Sequence, residues 1–235
     1  YRDDDCEKFL PKVYDYNKYI DTDKKILSKI QKAIAIIQFK VEGQIIKRHP
    51  EYEMENRLLL DKIDYENGKV RIGNNVYDLN DKKFPTINRN NPYELTEEER
   101  ELMERLRESF LNSETLKKHI TFLYSKGSMY KVFNSNLLFH GCVPMNEDGS
   151  FLDVNIMGET LSGKAYFDFL DKMARKAFNK REENLKNNYS DIMWFLWCSY
   201  QSPLFGKDKA ATFERYFVDD KVTHKEHKNP YYSLA

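Results

Sequence analysis

An apolar stripe at helical spacing runs through residues 24–49 and constrains the fold of this chain more than any other sequence feature. Its members recur at steps of three and four residues, which places them on one face of an α-helix. The stripe consists of Ile26, Ile30, Ile34, Ile37, Val41 and Ile45. Lys and Gln occupy the intervening positions, so they are predicted to face solvent. Pro50 is expected to end the helix.

Residues 62–79 change to the alternating pattern of short strands. The Asn67-Gly68 pair stands between two such runs and favours a tight primed turn. A second turn is predicted at Gly73-Asn74-Asn75, followed by a third short strand at 76–79. The pattern therefore predicts a β-hairpin within residues 62–79.

The rest of the chain predicts further helices and short strands. Thr96 and Glu99 have the spacing of a capping box, which predicts the start of a helix. Ser113 is the predicted N-cap of the next helix, and Ser190 or Asp191 is the predicted N-cap of the last helix. The first of these helices is expected to bury Leu102, Leu106 and Phe110. The other expected elements are helices within 5–20, at 53–61, from 96 to about 110, from 113 to about 124, at 164–186 and at 190–198, and strands at 129–133, 136–140 and 151–154. The fold class is therefore α+β, with an organisational boundary near Gly127.

The composition excludes several classes of protein. Lys plus Arg equals Asp plus Glu at 38 each, without the basic excess that is typical of nucleic-acid binding. The 16 Tyr and 15 Phe residues indicate a packed core rather than disorder. Three scattered cysteines do not form a disulfide framework and suit a reducing cytoplasm. The longest apolar run, Ile192–Cys198, is too short to cross a membrane, and the N-terminus has no secretory pattern.

His140 is the candidate metal ligand. It follows an apolar run, Leu137–Phe139, that is expected to be a buried strand, and a rigid strand end can hold a ring nitrogen in a fixed place. Gly141 lacks a Cβ and would let backbone and ligand approach closely. The alternative is that His140 is a packed, hydrogen-bonded core residue.

Two basic regions could bind phosphate. The segment Gly158–Ala165 nearly matches a phosphate-binding P-loop, but Ala165 replaces the hydroxyl residue that holds magnesium. The alternative is a loop before a helix, whose N-terminus together with Lys164 can still bind a phosphate group. Lys207 and Arg215 lie in a basic C-terminal region that is either solvated surface or an anion site. Lys164, Lys207 and Arg215 are therefore candidates for a substrate phosphate.

Several long stretches of the chain resemble the class III fructose-1,6-bisphosphatases, which occur mainly in Firmicutes and related gut bacteria. The resembling stretches are Gln31–Lys40, Glu42–Arg48, Arg57–Asp64, Gly127–Tyr130, Asn136–Pro144, Asn146–Gly149, Ser202–Asp208, Thr212–Tyr216, Thr223–Glu226 and Lys228–Tyr232. They cover nearly the whole chain, and the resemblance does not depend on one motif.

The resemblance implies a calcineurin-like metallophosphoesterase, an α/β sandwich with two metal ions at its strand ends. Within that family pattern His140 is similar to a lone histidine ligand that follows a strand. The other ligand blocks are absent, so the chain is expected to be an interior segment of a longer enzyme. Residues 1–126 would then be a mostly helical family-specific insertion, and residues 127–235 part of the second half of the catalytic domain.

The resemblance also implies the reaction. The parent enzyme would hydrolyse fructose 1,6-bisphosphate to fructose 6-phosphate and phosphate in gluconeogenesis, with manganese as the expected cofactor. It would act in the cytoplasm, without nucleic-acid or membrane partners, and self-association into a homo-oligomer is left open. Two alternatives stay open beside it. One is a helical interaction or regulatory module without turnover, and the other is a nucleotide-binding protein that rests on residues 158–165 alone.

Overall fold

The computed structural model describes residue 9, residues 24–179 and residues 183–235, apart from the side chains of 24, 25 and 183–188. It has the predicted α+β character, with helices and small antiparallel sheets. The helices are α1 (Lys24–Arg48), α2 (Glu97–Leu111), α3 (Glu114–Lys126), α4 (Gly163–Asn179), α5 (Glu183–Cys198), α6 (Thr212–Phe217) and α7 (Tyr231–Leu234). The strands are β1 (Ile63–Asp64), β2 (Lys69–Ile72), β3 (Asn75–Asp78), β4 (Tyr130–Phe133), β5 (Asn136–Phe139), β6 (Val154–Ile156) and β7 (Glu159–Leu161).

The chain forms two compact units. The first comprises Tyr1–Arg105 and Ala211–Lys225, and the second comprises Leu106–Ala210 and Glu226–Ala235. These bounds differ from the predicted boundary near Gly127, and residues 211–225 return to the first unit. The assignment of 1–126 to an insertion and of 127–235 to a catalytic domain stays a prediction.

Helix α1 organises the first unit, and the prediction of its solvent face is confirmed for Gln31 and Gln38 but wrong for three lysines. Lys29, Lys32 and Lys40 are completely buried, whereas Ile34 of the predicted apolar stripe is exposed. The exposed side chains at the centre of α1 are instead the row of Gln31, Ile34 and Gln38. Helical periodicity identified the element, but nearly all of its circumference is covered.

Two of the buried lysines, Lys32 and Lys40, bind the segment between β3 and the first turn of α2. Lys32 Nζ lies 2.8 Å from Asp81 Oδ2. Lys40 Nζ donates to Thr86 O and to Glu99 Oε2, both at 2.6 Å. Glu99 also completes the predicted capping box, because its Oε2 accepts from Thr96 N and its own backbone N–H donates to Thr96 Oγ1. A polar segment is thereby fixed along a mostly apolar helix.

The main apolar core of the first unit lies between α1, the small sheet and α6. It consists of Ala35, Phe39, Leu59, Leu60, Ile63, Val70, Leu79, Tyr93, Phe213, Phe217 and Val218. The sheet has the order β1-β2-β3 and is antiparallel, as predicted. Its first turn is a four-residue loop in which Gly68 has φ 66°, not the predicted two-residue primed turn.

The second unit contains two tight hairpins and the helices α4 and α5. β4 pairs with β5 across Asn134-Ser135, and β6 pairs with β7 across Met157-Gly158. Both residues of each loop have positive φ, which is the type I′ geometry of two-residue hairpins. Arg175 on α4 reaches the end of α3, donating to Tyr124 O at 2.5 Å and Gly127 O at 2.7 Å.

Several predicted bounds and faces in the second unit are wrong. Residues 164–186 and 190–198 were predicted to be helices. Instead, α4 ends at Asn179. Ser190 and Asp191, the predicted caps of the last helix, lie inside α5. Leu106 and Phe110 on α2 are exposed, although they were predicted to be buried. The strand at 136–139 forms, yet Leu137 and Leu138 are half exposed rather than buried.

The helix predicted within residues 5–20 lies outside the described residues, apart from residue 9. None of the helices in the described ranges combines the length and apolar character needed to cross a membrane.

Candidate functional site

The predicted metal ligand His140 directly follows β5, where the preceding residue is firmly packed. The Phe139 ring meets the rings of Phe167 and Tyr231 at centroid distances of 6.2 and 5.9 Å, in edge-to-face geometry. Such aromatic pairs contribute beyond simple area burial. Side chains of α4 and α7 therefore hold the end of β5.

The two residues after His140 are fastened to a second segment. Cys142 N donates to Pro203 O at 2.9 Å, and Cys142 Sγ lies 3.6 Å from Ser202 O. A Cβ on Gly141 would lie 2.6 Å from Pro203 O, so the contact requires glycine. The space that the sequence analysis assigned to a ligand beside Gly141 is occupied by this backbone.

Cys142 is an anchor and not a candidate ligand. Its side chain is buried, and burial raises the pKa of the thiol to about 11. Because the thiolate is the form that binds metals, a thiol that stays protonated at neutral pH has a packing role.

A third segment, residues 226–232, completes this junction through Asn229. Asn229 Oδ1 accepts from Met145 N and from Tyr231 N, both at 3.1 Å. Its backbone N–H donates to Gly206 O at 2.8 Å. Asn229 is almost completely buried, and through its side chain and its backbone N–H this one residue ties the chain after His140 to the two other segments.

The His140 side chain itself is exposed and makes no hydrogen bond or ion pair within the described part of the chain. It is therefore not the packed, hydrogen-bonded core residue of the alternative interpretation. An accessible imidazole on a fixed backbone has the donor chemistry of one metal ligand. Across residues 24–179 and 183–235, however, no group of three or more His, Cys, Asp or Glu side chains could hold a metal ion. The described residues thus fit one ligand of a metal site and not a complete site.

The three phosphate candidates lie on different elements and have different surroundings. Lys164 lies in the first turn of α4 and pairs with Asp168 at 2.5 Å, a contact that raises the pKa of Lys164 and lowers that of Asp168. Lys207 pairs with Glu226 at 3.0 Å, within the junction around Asn229. Arg215 is exposed on α6 and belongs to the first unit.

The P-loop alternative conflicts with the local geometry. A P-loop joins a strand to a helix through one glycine-rich loop. Here Gly158 lies in the tight turn between β6 and β7, and β7 occupies Glu159–Leu161 before α4 begins at Gly163. Residues 158–165 therefore resemble a P-loop in sequence but not in structure.

Sequence reasoning missed the residues that support His140, above all Asn229 and Cys142. Both lie in stretches that carry the family resemblance, which was the available signal. A single sequence does not show which stretches meet in space, so their supporting role emerged only from the hydrogen bonds described above.

Comparisons with known proteins place the chain in a family. The model of the Firmicute fructose-1,6-bisphosphatase family matches residues 1–235. The chain is 57% identical over 235 residues to a protein of Clostridium tetani (strain Massachusetts / E88) named fructose-1,6-bisphosphatase class 3, covering 99% of this chain and 35% of that protein. A protein of the same name from Clostridium botulinum (strain Okra / Type B1) is 57% identical over 233 residues, with the same coverage.

No solved structure matches the chain significantly. The chain spans about a third of the length of these curated relatives. Because the family model covers every residue, the chain belongs to the Firmicute fructose-1,6-bisphosphatase family.

Proposed function

We propose that this chain is part of a metal-dependent phosphatase that hydrolyses fructose 1,6-bisphosphate to fructose 6-phosphate and phosphate. The observation that carries the proposal is the exposed imidazole of His140 on a backbone fixed from both sides, in a chain of this family. The relatives are named for the same activity. Because this chain spans about a third of their length, the catalytic unit in the proposal is a longer polypeptide.

In this proposal His140 supplies one neutral ring nitrogen to a divalent metal, and manganese is the expected ion because the family resemblance implies it. Two such ions, when bound, activate a water molecule and neutralise phosphate oxygens. The contribution of this chain is positional. The backbone of His140 is fixed by Phe139, Gly141 and Cys142. Metal binding therefore does not have to order this part of the backbone, which avoids an entropic cost.

The substrate phosphate would be held by cationic side chains, and Lys207 is the best supported of the three candidates. It follows Gly206, where a Cβ would lie 2.6 Å from Cys142 Sγ, so it belongs to the same junction as His140. Lys164 and Lys207 are both held in ion pairs, with Asp168 and Glu226, and each would have to leave its carboxylate to bind phosphate. Arg215 stays in the proposal as an exposed guanidinium, the group suited to bidentate phosphate binding.

The wider setting follows the family resemblance. Residues 127–235 would be part of a metallophosphoesterase sandwich and residues 1–126 a helical insertion. The enzyme would serve gluconeogenesis in the cytoplasm, where the free thiols of Cys142 and Cys198 would stay reduced. A homo-oligomer is the proposed assembly, and nucleic acid and membranes are not proposed partners.

The test is His140→Ala in the full-length enzyme. Loss of one ligand should weaken manganese binding and lower kcat/KM by roughly a hundredfold or more. His119→Ala is the matched control, because His119 is another exposed histidine, on α3, and its loss should leave both quantities unchanged. Normal metal content and activity in His140→Ala would remove His140 from the site.

A second candidate is a helical interaction module without turnover. It is favoured by apolar side chains exposed at the end of α2 and on α3, which are Phe110, Leu111, Phe122 and Leu123. Exposed apolar clusters often mark interaction surfaces. This candidate predicts that Phe110→Ser and Phe122→Ser together change the sedimentation behaviour of the full-length polypeptide without changing its metal content. The phosphatase proposal alone predicts no change in either quantity.

A further inference from the structure

The buried ammonium group of Lys40 carries one more hydrogen-bond donor than its partners use. Lys40 is completely buried in the first unit. Its Nζ donates to Thr86 O and to Glu99 Oε2, both at 2.6 Å. A lysine ammonium group has three N–H donors, and the third meets no acceptor in the part of the chain that the structure describes.

Two oxygen atoms of the same partner residues are also buried without a hydrogen-bond partner within the described residues. They are Thr86 Oγ1 and Glu99 Oε1. Thr86 is 8% exposed and Glu99 is 4% exposed, so bulk solvent does not reach either oxygen. The capping box of α2 does not use Glu99 Oε1, because Thr96 N donates to Oε2. One unused donor and two unused oxygens therefore belong to the three residues that meet at Lys40 Nζ.

The surroundings of Thr86 are apolar. Phe84 and Ile87, on either side of it in the sequence, pack against the apolar cluster that contains Ala33 and Ile36 of α1. Aliphatic and aromatic side chains offer neither a donor nor an acceptor. A buried polar group without a partner lowers stability, so the unused groups favour a small molecule that would pair with them.

The chemistry of the three unused groups defines that molecule. It must accept a hydrogen bond from an ammonium group and donate one to a carboxylate. A cation would be repelled by Lys40 and an anion by Glu99, so the molecule is neutral. Water meets these requirements, and buried waters typically make about three hydrogen bonds to otherwise unpaired polar groups.

We propose that Lys40, Thr86 and Glu99 form a binding site for one buried water molecule. The water accepts from Lys40 Nζ, donates to Glu99 Oε1 and bonds to the hydroxyl group of Thr86. It thereby joins helix α1, the segment that precedes α2 and the first turn of α2 at one point. The proposal goes beyond the proposed activity, since it requires neither metal nor substrate.

A crystal structure of the full-length enzyme, at a resolution that shows ordered water, tests the site directly. We expect a water oxygen within about 2.7–3.2 Å of Lys40 Nζ, Thr86 Oγ1 and Glu99 Oε1. A direct hydrogen bond between Thr86 Oγ1 and Glu99 Oε1, or the lack of a water oxygen that contacts all three atoms, would overturn the proposal.

Amide hydrogen exchange gives a second test, in which a paired and an unpaired hydroxyl predict opposite changes. Thr86→Val keeps the shape of the side chain but removes the hydroxyl group. If that hydroxyl is bonded to the water, the amides of α1, Lys24–Arg48, should exchange roughly tenfold faster in the full-length variant. If the hydroxyl is unpaired, its replacement by a methyl group should stabilise the protein and slow the exchange. Unchanged or slower exchange of α1 would therefore contradict the proposal.

Thr115→Val is the matched control for this substitution, because Thr115 is exposed on α3. It should leave the exchange of α1 unchanged. Neither test measures phosphate release, so a failure of the water site is distinguishable from a failure of the proposed activity.

Discussion

At the scale of single residues, the position of His140 depends on side chains that have no chemistry of their own. Asn229 shows this best, because one buried oxygen accepts two backbone N–H groups and the residue also bonds Gly206. A buried donor that loses its acceptor costs about 1–3 kcal/mol. Asn229 is therefore a positioning residue for the segment that follows His140.

We expect Asn229→Ala to lower the free energy of unfolding of the chain by roughly 2–4 kcal/mol, because it leaves the amides of Met145 and Tyr231 without an acceptor. Urea denaturation of the 235-residue chain measures this change. Asn146→Ala is the control, since Asn146 directly follows Met145 but is exposed, and its loss should cost about 1 kcal/mol or less. Equal losses of unfolding free energy in the two variants would show that the Asn229 side chain does not hold the segments of Met145 and Tyr231 together.

At the scale of elements, α1 shows how a correct prediction of a helix can give the wrong face. The periodic isoleucines predicted the helix, and the lysines between them were assigned to solvent. Lys32 and Lys40 are instead buried against Asp81, Thr86 and Glu99. Burial lowers the pKa of Lys32, although Asp81 acts in the opposite direction. A lysine is buried only where a distant segment supplies a partner, and periodicity does not contain that partner.

Lys32→Met keeps much of the side-chain volume and removes the ammonium group that pairs with the buried Asp81 carboxylate. We expect it to lower the free energy of unfolding by about 3–5 kcal/mol. Lys47→Met is the matched control on the same helix, because Lys47 is exposed and lies 3.8 Å from Asp61, and it should cost less than about 1 kcal/mol. Chemical denaturation of both variants decides the question, and similar losses would mean that burial of the pair is unimportant.

The turns of the two antiparallel sheets also differ in how far the sequence predicted them. The glycine at 68 predicted the first turn of the small sheet, and the structure places it at φ 66° as a left-handed position. The hairpin turn at Asn134-Ser135 lacks glycine, and the sequence analysis predicted the two strands without their tight loop. Asn and Ser accept positive φ there because the cross-strand pairs of β4 and β5 require it.

At the scale of the whole molecule, the described residues contain the proposed ligand His140 but no group of three or more candidate metal ligands, and the curated relatives are about three times as long. A single imidazole cannot retain a divalent ion tightly or hold two of them together. The proposed activity therefore belongs to the longer polypeptide, to which this chain is proposed to contribute one ligand and its support.

We expect the isolated 235-residue chain to release no phosphate from fructose 1,6-bisphosphate in the presence of manganese, while the full-length enzyme is active under the same conditions. A colorimetric phosphate assay with both proteins at equal concentration measures this. Turnover by the chain alone would show that the essential ligands lie within it, contrary to the proposal.

The sequence by itself determined the family, the α+β class, most helices and strands, the capping box of α2 and the choice of His140 as a candidate. These follow from local periodicity, local capping chemistry and long matching stretches. Only the tertiary structure decided which face of α1 is buried, that Gly141 makes room for Pro203, and that Asn229 ties three segments together. The reason is physical: burial and hydrogen bonding depend on partners far away in the chain, and one sequence does not state which distant residues meet.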